Sequence, residues 1–523
     1  MGATGNLGGA PPEPPGAADL AVLAGAQRRV RRNLALSALT VGWTAVLQIA
    51  LVPVYVQLLG AASYGLVGFF VALRTALQVC DLGISAAMNR ELAAVYAGAE
   101  SPAAGRGVVR VLGRAYWAVG TGIAALLVLL APWIASHWLH GGAGDAHDLT
   151  RTVRLMALTL LLQWPVTFYE AGLYGLQRLG AQGALRVTFN TLAGIAAVIV
   201  LQRVPTPGAF FLSQAAVAAM QLLATMLVFR RVLPGGGSPA GAAPTRLWRS
   251  TVAAGAAMAT IALLGQFATL LLARLLDPER YGAYALAVVA ASGLLILVAP
   301  IYNVAFPRLA ELTARHDADG TREAFRSALR LGALLVLPAA VTLAMTAEEL
   351  LRLWTRDAAL AAAAAPALRA LAAGYGCLAL AQLPFALELA QRRSRTLSAL
   401  NVAAIAAGAL VLVLGVPSFG LRALWALAGV LLVHLLGSVL ILHRPVFVRA
   451  TAALVQRDVL PIFLAALAGG WAVRLLSTPT THPAALVLLT AAATMTAAVL
   501  ASAPARSVLV AIARSRQARG SLA

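Results

Sequence analysis

Two charged residues interrupt an apolar run that is about long enough to cross a bilayer. The run, YGLVGFFVALRTALQVCDLGISAAMNREL, begins at Tyr64 and carries Arg74 and Asp81. A charge at bilayer depth costs roughly 2.5 to 3.5 kcal/mol on insertion scales, so it needs an offsetting interaction. Guanidinium is permanently charged and forks onto phosphate oxygens, which suits Arg74 to anchor a phosphate. With Tyr64 near one surface and Asn89 near the other, a rise of about 1.5 Å per residue sets Arg74 near the midplane. Seven residues turn a continuous helix through about 700°, so Asp81 is expected on nearly the same face. Asp81 would then be a counter-charge or the group whose protonation releases the ligand. The alternative is a structural Arg and Asp pair that orients this helix against the one before it.

Three further titratable residues lie inside apolar runs. Glu170 and Glu388 each follow a proline, Pro165 and Pro384, and each precedes an arginine, Arg178 and Arg392. Prolines in spans free carbonyls and often mark hinges, so an ion pair latching one conformation is one reading. A snorkelling surface charge is the other. His434 is placed to relay a proton near neutral pH, or to pack as a satisfied core residue. The two cysteines, Cys80 and Cys377, form neither a disulfide framework nor a metal spacing. No cofactor or metal is expected.

These residues must be positioned by membrane helices. The 523-residue chain is 60% hydrophobic and 11% charged, with a mean hydropathy of +0.83, whereas soluble domains have about a quarter of their residues charged. Fourteen apolar segments follow one another, the first centred near Val46 and the last near Ala492, with short loops that leave no room for a soluble domain. The net charge of +21 comes from 40 basic residues, all arginine. They fall in short loops and build no continuous groove, so nucleic acid is excluded as a partner. Alternate connections hold 29 arginines on one side and ten on the other, which predicts that both termini are cytoplasmic. Arg90 with Glu91 and Arg308 with Glu311 read as topology anchors at the cytoplasmic ends. The Gly- and Pro-rich residues 1–27 read as a disordered tail and residues 506–523 as a basic cytoplasmic tail.

The chain also repeats itself. LLGAASYGLVGFF, ending at Phe70, lines up with LLDPERYGAYALA, ending at Ala287, and the spans they open end at Arg90 and Arg308. Further on, LLQWPVTFYEAGLYGLQR matches LAQLPFALELAQRR, and the match stays collinear over six spans. An even number of spans keeps both halves in one orientation, related by an axis along the membrane normal. The expectation is an all-α polytopic membrane protein of fourteen helices: an N-lobe at 28–235, a C-lobe at 236–450 and two extra helices at 451–505. Arg74 and Asp81 have no charged equivalents, since their positions fall near Ala291 or Ser292 and near Val298.

RRNLALSALT with Pro53 and Tyr55, the LLGAASYG loop, DLG at Asp81, NREL at Arg90 and LYGLQR resemble the Wzx-type flippases, within the multidrug/oligosaccharidyl-lipid/polysaccharide exporter superfamily. The resemblance covers roughly residues 28 to 450. It implies a non-enzymatic protein of the bacterial inner membrane that moves an undecaprenyl-pyrophosphate-linked oligosaccharide between leaflets by alternating access. The product would feed O-antigen, capsule or exopolysaccharide synthesis, with membrane lipids, a polysaccharide polymerase and chain-length proteins as partners. Arg274, near the outer end of the seventh span, would meet a pyrophosphate arriving there. Two rivals share the superfamily: a cation or drug antiporter, disfavoured by Arg74 because a cation site needs buried acids, and a peptidoglycan-precursor flippase. A polytopic glycosyltransferase or polymerase would need a sizeable outer loop with spaced acids, and none is present.

Overall fold

The computed structural model describes residues 39–138 except 41, 146–233, 260, 263–391, 394–441, 455–478 and 482–502. The expected tails, 1–27 and 506–523, lie outside the described residues. Among the described residues there is no strand, and each of the fourteen expected span centres falls inside a helix.

Several helices start where a capping side chain precedes a proline. Ser101, Thr206 and Asp277 accept hydrogen bonds from Ala104, Ala209 and Arg280 amides, and Pro102, Pro207 and Pro278 follow them. The cap fills an orphan donor, worth about 1 kcal/mol, and proline wastes no amide at the first position. The N-lobe comprises α1 (Gly42–Leu59), α2 (Ala61–Leu77), α3 (Ile84–Tyr96), α4 (Pro102–Trp133), α5 (Ala146–Gly175), α6 (Leu179–Arg203) and α7 (Pro207–Val232). The C-lobe comprises α8 (Leu263–Leu275), α9 (Pro278–Ala314), α10 (Ala318–Met345), α11 (Ala347–Thr355), α12 (Ala358–Ala390), α13 (Ser394–Phe419) and α14 (Ala423–Ile441). The last two spans are α15 (Leu460–Leu476) and α16 (Pro483–Ala501). They pack on each other and against α10 and α11.

Two prolines expected to mark hinges do not break their helices. Pro165 lies inside the continuous α5 and Pro384 inside the continuous α12. The break occurs instead in the second span. α2 gives way to a short 3-10 turn, Gln78–Asp81, and then Leu82 and Gly83 both adopt left-handed backbone, at φ 48° and 80°, before α3 begins. Glycine takes that conformation without penalty. The repeat-equivalent α9 runs unbroken for 37 residues despite Pro300 and Pro307.

The break divides one span between two bodies. α2 packs chiefly on α9 of the opposite lobe, whereas α3 packs on α4 and α5 of its own. Close approach of α2 and α9 depends on small residues: Gly65 faces Tyr281 and Gly282, Gly68 faces Ala285, and Gly282 sits on the Ala61 carbonyl. Polar contacts join the lobes at this same end, which carries Gly60. The Trp354 indole donates to the Ile49 carbonyl at 2.9 Å, Gln57 donates to the Thr355 carbonyl at 2.9 Å, and Trp138 donates to the Leu270 carbonyl at 3.2 Å.

The hydrophobic core follows the same pattern. One cluster runs through both lobes at the Gly60 end, from Val52 and Phe70 to Tyr284 and Leu368. At the arginine-rich end each lobe has its own cluster, one around Met88, Leu92 and Phe168 and another around Leu309, Phe325 and Leu387. Buried apolar area is the main cohesive term, so the lobes are sealed at one end and separable at the other.

A larger residue at Gly282 must push α9 off the Ala61 backbone. Gly282→Leu is expected to open the Gly60 end, read as faster labelling by a water-soluble maleimide of a cysteine at the buried Ala285, with Cys80 and Cys377 replaced by serine. Unchanged labelling would show that this contact does not hold the seal.

Candidate functional site

Arg74 stands thirteen residues into α2, about 20 Å along its axis. Its Nη1 donates to Gln163 Oε1 on α5 at 3.1 Å, and the Arg186 guanidinium on α6 lies close enough to repel it. Glu170, seven residues after Gln163 and so on the same face of α5, looks across at Gln182 and Arg186. On α6, Gln182, Arg186 and Asn190 recur every fourth residue and make one polar stripe. α1 closes the stripe from the side, with Trp43 donating to the Thr191 hydroxyl at 2.9 Å and Asn190 donating to the Thr44 hydroxyl at 3.4 Å.

The charge balance of this cluster decides its chemistry. A hydrogen bond to a charged group contributes about 1.5 to 3 kcal/mol, so Gln163 roughly offsets the cost of holding Arg74 in the span. Two guanidiniums and one carboxylate leave one positive charge over. Such a site attracts an anion, and a planar guanidinium suits a phosphate or carboxylate. Among the described residues no group of three or more His, Cys, Asp and Glu side chains converges as a metal would require.

Asp81 is not on the Arg74 face. The expected shared stripe assumed α-helical winding throughout, and the 3-10 turn Gln78–Asp81, which winds at about 120° per residue rather than about 100°, carries Asp81 away from it. Asp81 Oδ1 instead accepts from the Ser85 amide at 3.3 Å and the Ser85 hydroxyl at 2.7 Å, holding the first turn of α3. The Tyr116 hydroxyl of α4 faces the same carboxylate.

The other candidates are scattered. Glu388 is 1% exposed inside α12 rather than snorkelling at a surface, and Arg392, its expected partner, lies outside the described residues. Glu170 turns toward α6 rather than toward Arg178. His434 Nε2 shares a hydrogen bond of 2.9 Å with Asn401 Oδ1, and Asn401 donates to the Thr260 hydroxyl at 3.1 Å, so the histidine is packed into the C-lobe. Arg274 lays its guanidinium over the Trp138 ring, 5.6 Å from the centroid, at the Gly60 end of the lobe contact. Of the repeat positions nearest Arg74 and Asp81, Ala291 and Val298 are fully buried and Ser292 is half-buried, donating to the Val289 carbonyl at 2.8 Å.

Residues 30–313 match the family described as "Polysaccharide biosynthesis protein", a stretch that contains Arg74, Gln163, Glu170 and Arg186. The chain belongs to that family. No curated protein sequence matches it. Among solved structures, the polysaccharide biosynthesis fold here is similar to the inward-facing conformation of a multidrug resistance MATE family transporter of the MOP superfamily. That likeness has TM-score 0.65 at 12% identity and covers 79% of this chain and 96% of that one. It is similar also to the lipid II flippase MurJ in an inward closed conformation, at TM-score 0.64 and 11% identity, over 89% of this chain and 98% of that one. An outward-facing MATE structure fits less well, at TM-score 0.53 and 15% identity over 82% and 96%.

Within this family member, Gln163 and Arg186 belong to the candidate cluster around Arg74, and sequence reasoning passed over them. Arg186 counts among the loop arginines that set orientation, yet it lies two turns inside α6. The four-residue recurrence from Gln182 to Asn190 was the available signal. Removing the Asp81 side chain should leave this cluster alone and loosen α3. Asp81→Ala is expected to cost about 1 kcal/mol and to speed amide exchange at residues 84–88, with Asp81→Asn close to wild type. Protection unchanged in Asp81→Ala would place the hold on α3 elsewhere.

Proposed function

We propose that this protein is a flippase for undecaprenyl-pyrophosphate-linked oligosaccharide units of O-antigen, capsule or exopolysaccharide synthesis. The observation that carries the reading is the surplus positive charge of the Arg74, Arg186 and Glu170 cluster at mid-depth in the N-lobe. A pyrophosphate headgroup brings the matching negative charge, and the guanidiniums offer it parallel donors. Membership of the polysaccharide biosynthesis family and the fold likeness to MOP transporters support a lipid-linked sugar as cargo.

The mechanism is alternating access. The arginine-rich end faces the cytoplasm of a bacterial cell with both termini on that side, because arginine is retained there. With the Gly60 end sealed, a headgroup enters between the separated lobes and reaches Arg74, while its lipid tail stays in the bilayer. Charge neutralisation lowers the cost of keeping two guanidiniums inside the N-lobe. Opening then requires α2 to leave α9, and the left-handed turn at Leu82 and Gly83 lets α2 move while α3 stays with α4 and α5. A polymerase and chain-length proteins are the partners that would take up the product on the far side.

The MurJ likeness favours a second cargo, the peptidoglycan precursor, which presents the same pyrophosphate to the same guanidiniums. A cation antiporter would need an excess of buried acid, opposite to the charge found here.

Arg74→Ala is expected to abolish translocation of the lipid-linked unit while the protein still inserts, and Arg74→Lys to retain part of it. Gln163→Ala is expected to lower the rate about tenfold, the size of one hydrogen bond to a charged group. The measurement is accumulation of the undecaprenyl-linked intermediate on the cytoplasmic leaflet in cells carrying each variant. Full transport by Arg74→Ala would end the proposal.

A further inference from the structure

The repeat extends to a row of arginines that the proposed cargo path does not use. RGVVRVLGR in α4 carries Arg106, Arg110 and Arg114, and REAFRSALR in α10 carries Arg322, Arg326 and Arg330, at identical distances after the caps Ser101 and Asp317. Residues four apart stack on one helix face, so each row continues along its helix. On α4 it reads Arg110, Arg114, Ala118 and Gly122, and on α10 it reads Arg326, Arg330, Leu334 and Pro338.

On α10 this row is covered by the last two spans. Asp458, 2% exposed in the turn that leads into α15, takes Arg326 at 2.6 Å and Arg330 at 3.1 Å. Farther along, the Thr342 hydroxyl shares a hydrogen bond of 2.9 Å with Thr494 of α16. Between these contacts Leu334 is half-buried and Pro338 buried. On α4 the matching four residues are all exposed. Among the described residues Arg110 and Arg114 make no ion pair, and α4 packs chiefly on α3 and α5. A methyl group added at Gly122 would meet nothing within 4 Å. The same surface is built twice, and this chain supplies an acid-headed helix for one copy of it.

We propose that the α4 row docks a membrane-spanning helix of another protein, one that carries Asp or Glu at the start of its span on the arginine-rich side. The chemistry is that of Asp458: one carboxylate accepting from two guanidiniums a turn apart, a charge-assisted pairing that strengthens where water is excluded. Ala118 and Gly122 let a second backbone approach closely, which is how spans associate in lipid, where no hydrophobic drive brings them together. A phospholipid phosphate would answer the arginines, but acyl chains conform to any apolar surface and make no use of small residues. A second copy of this chain, meeting the same face across a two-fold axis, would set Arg110 and Arg114 against their own counterparts. Its Asp458 is already engaged.

The test places a photo-cross-linking residue at Gly122 of the full-length protein in the cells that make it, with Leu223, 63% exposed on α7, as the control position. The expected result is an adduct with a different protein at Gly122 that is absent at Leu223. Its yield should fall about tenfold when Arg110→Glu is combined with Arg114→Glu, the size of one hydrogen bond between charged groups. Replacing the acid at the start of the captured helix with arginine should restore the yield. Adducts with phospholipid alone or with a second copy of this chain, a yield indifferent to the reversed charges, or no recovery on the swap would each overturn the proposal. Should the reversed variant fail to insert, Arg110→Gln with Arg114→Gln is expected to show the same loss, and an unchanged yield there would overturn it too.

Discussion

A guanidinium does not give up its charge, and halfway down a membrane helix it must be answered by something other than water. Arg74 imposes that requirement, and much of the N-lobe meets it. α5 turns Gln163 and Glu170 inward, α6 contributes the stripe from Gln182 to Asn190, and α1 lays Trp43 and Thr44 along that stripe. The C-lobe carries no such load. Its equivalent positions fall at Ala291 or Ser292 and at Val298, none of them charged, and α9 is continuous where the second span is broken.

That break couples the polar cluster to the contact between lobes. Arg74 rides on α2, and α2 belongs by its packing to α9 rather than to α3. A ligand that moves Arg74 thus acts on the helix that seals the Gly60 end. The seal itself is apolar and built on glycine and alanine, so it can part without stranding charges. At the opposite end the two hydrophobic clusters never merge, which leaves that face free to open or close. The last two spans add rigidity to one lobe only: Asp458, 2% exposed, receives Arg326 at 2.6 Å and Arg330 at 3.1 Å. With Arg474 and Glu349 near the other end, α15 is fastened to α10 and α11 along its length.

Much of this was legible in the chain. Hydropathy alone located the spans, since every backbone group in a bilayer must be bonded within its own helix. The doubled Tyr-Gly entry at Tyr64 and Tyr281 marked the pair of helices that meet between the lobes, although the sequence offered no reason to place them in contact. The prolines misled. Pro165 and Pro384 each remove one hydrogen bond, yet α5 and α12 continue through them. The DLG triplet, short of proline, broke its helix because Leu82 and Gly83 could both turn left-handed and Asp81 could fasten the next helix through Ser85. Arg186 was hidden by its usefulness as a topology signal.

The sequence by itself determined that the chain crosses the membrane many times, that its halves repeat, and that Arg74 requires a partner. Those follow from local quantities: hydropathy, spacing and the fixed charge of one side chain. Only the tertiary structure decided which groups answer Arg74, that Asp81 faces elsewhere, and at which end the lobes are joined. These depend on how helices far apart in the chain rotate about their own axes, and a rotation of one residue, about 100°, exchanges a cluster for a lipid-facing surface.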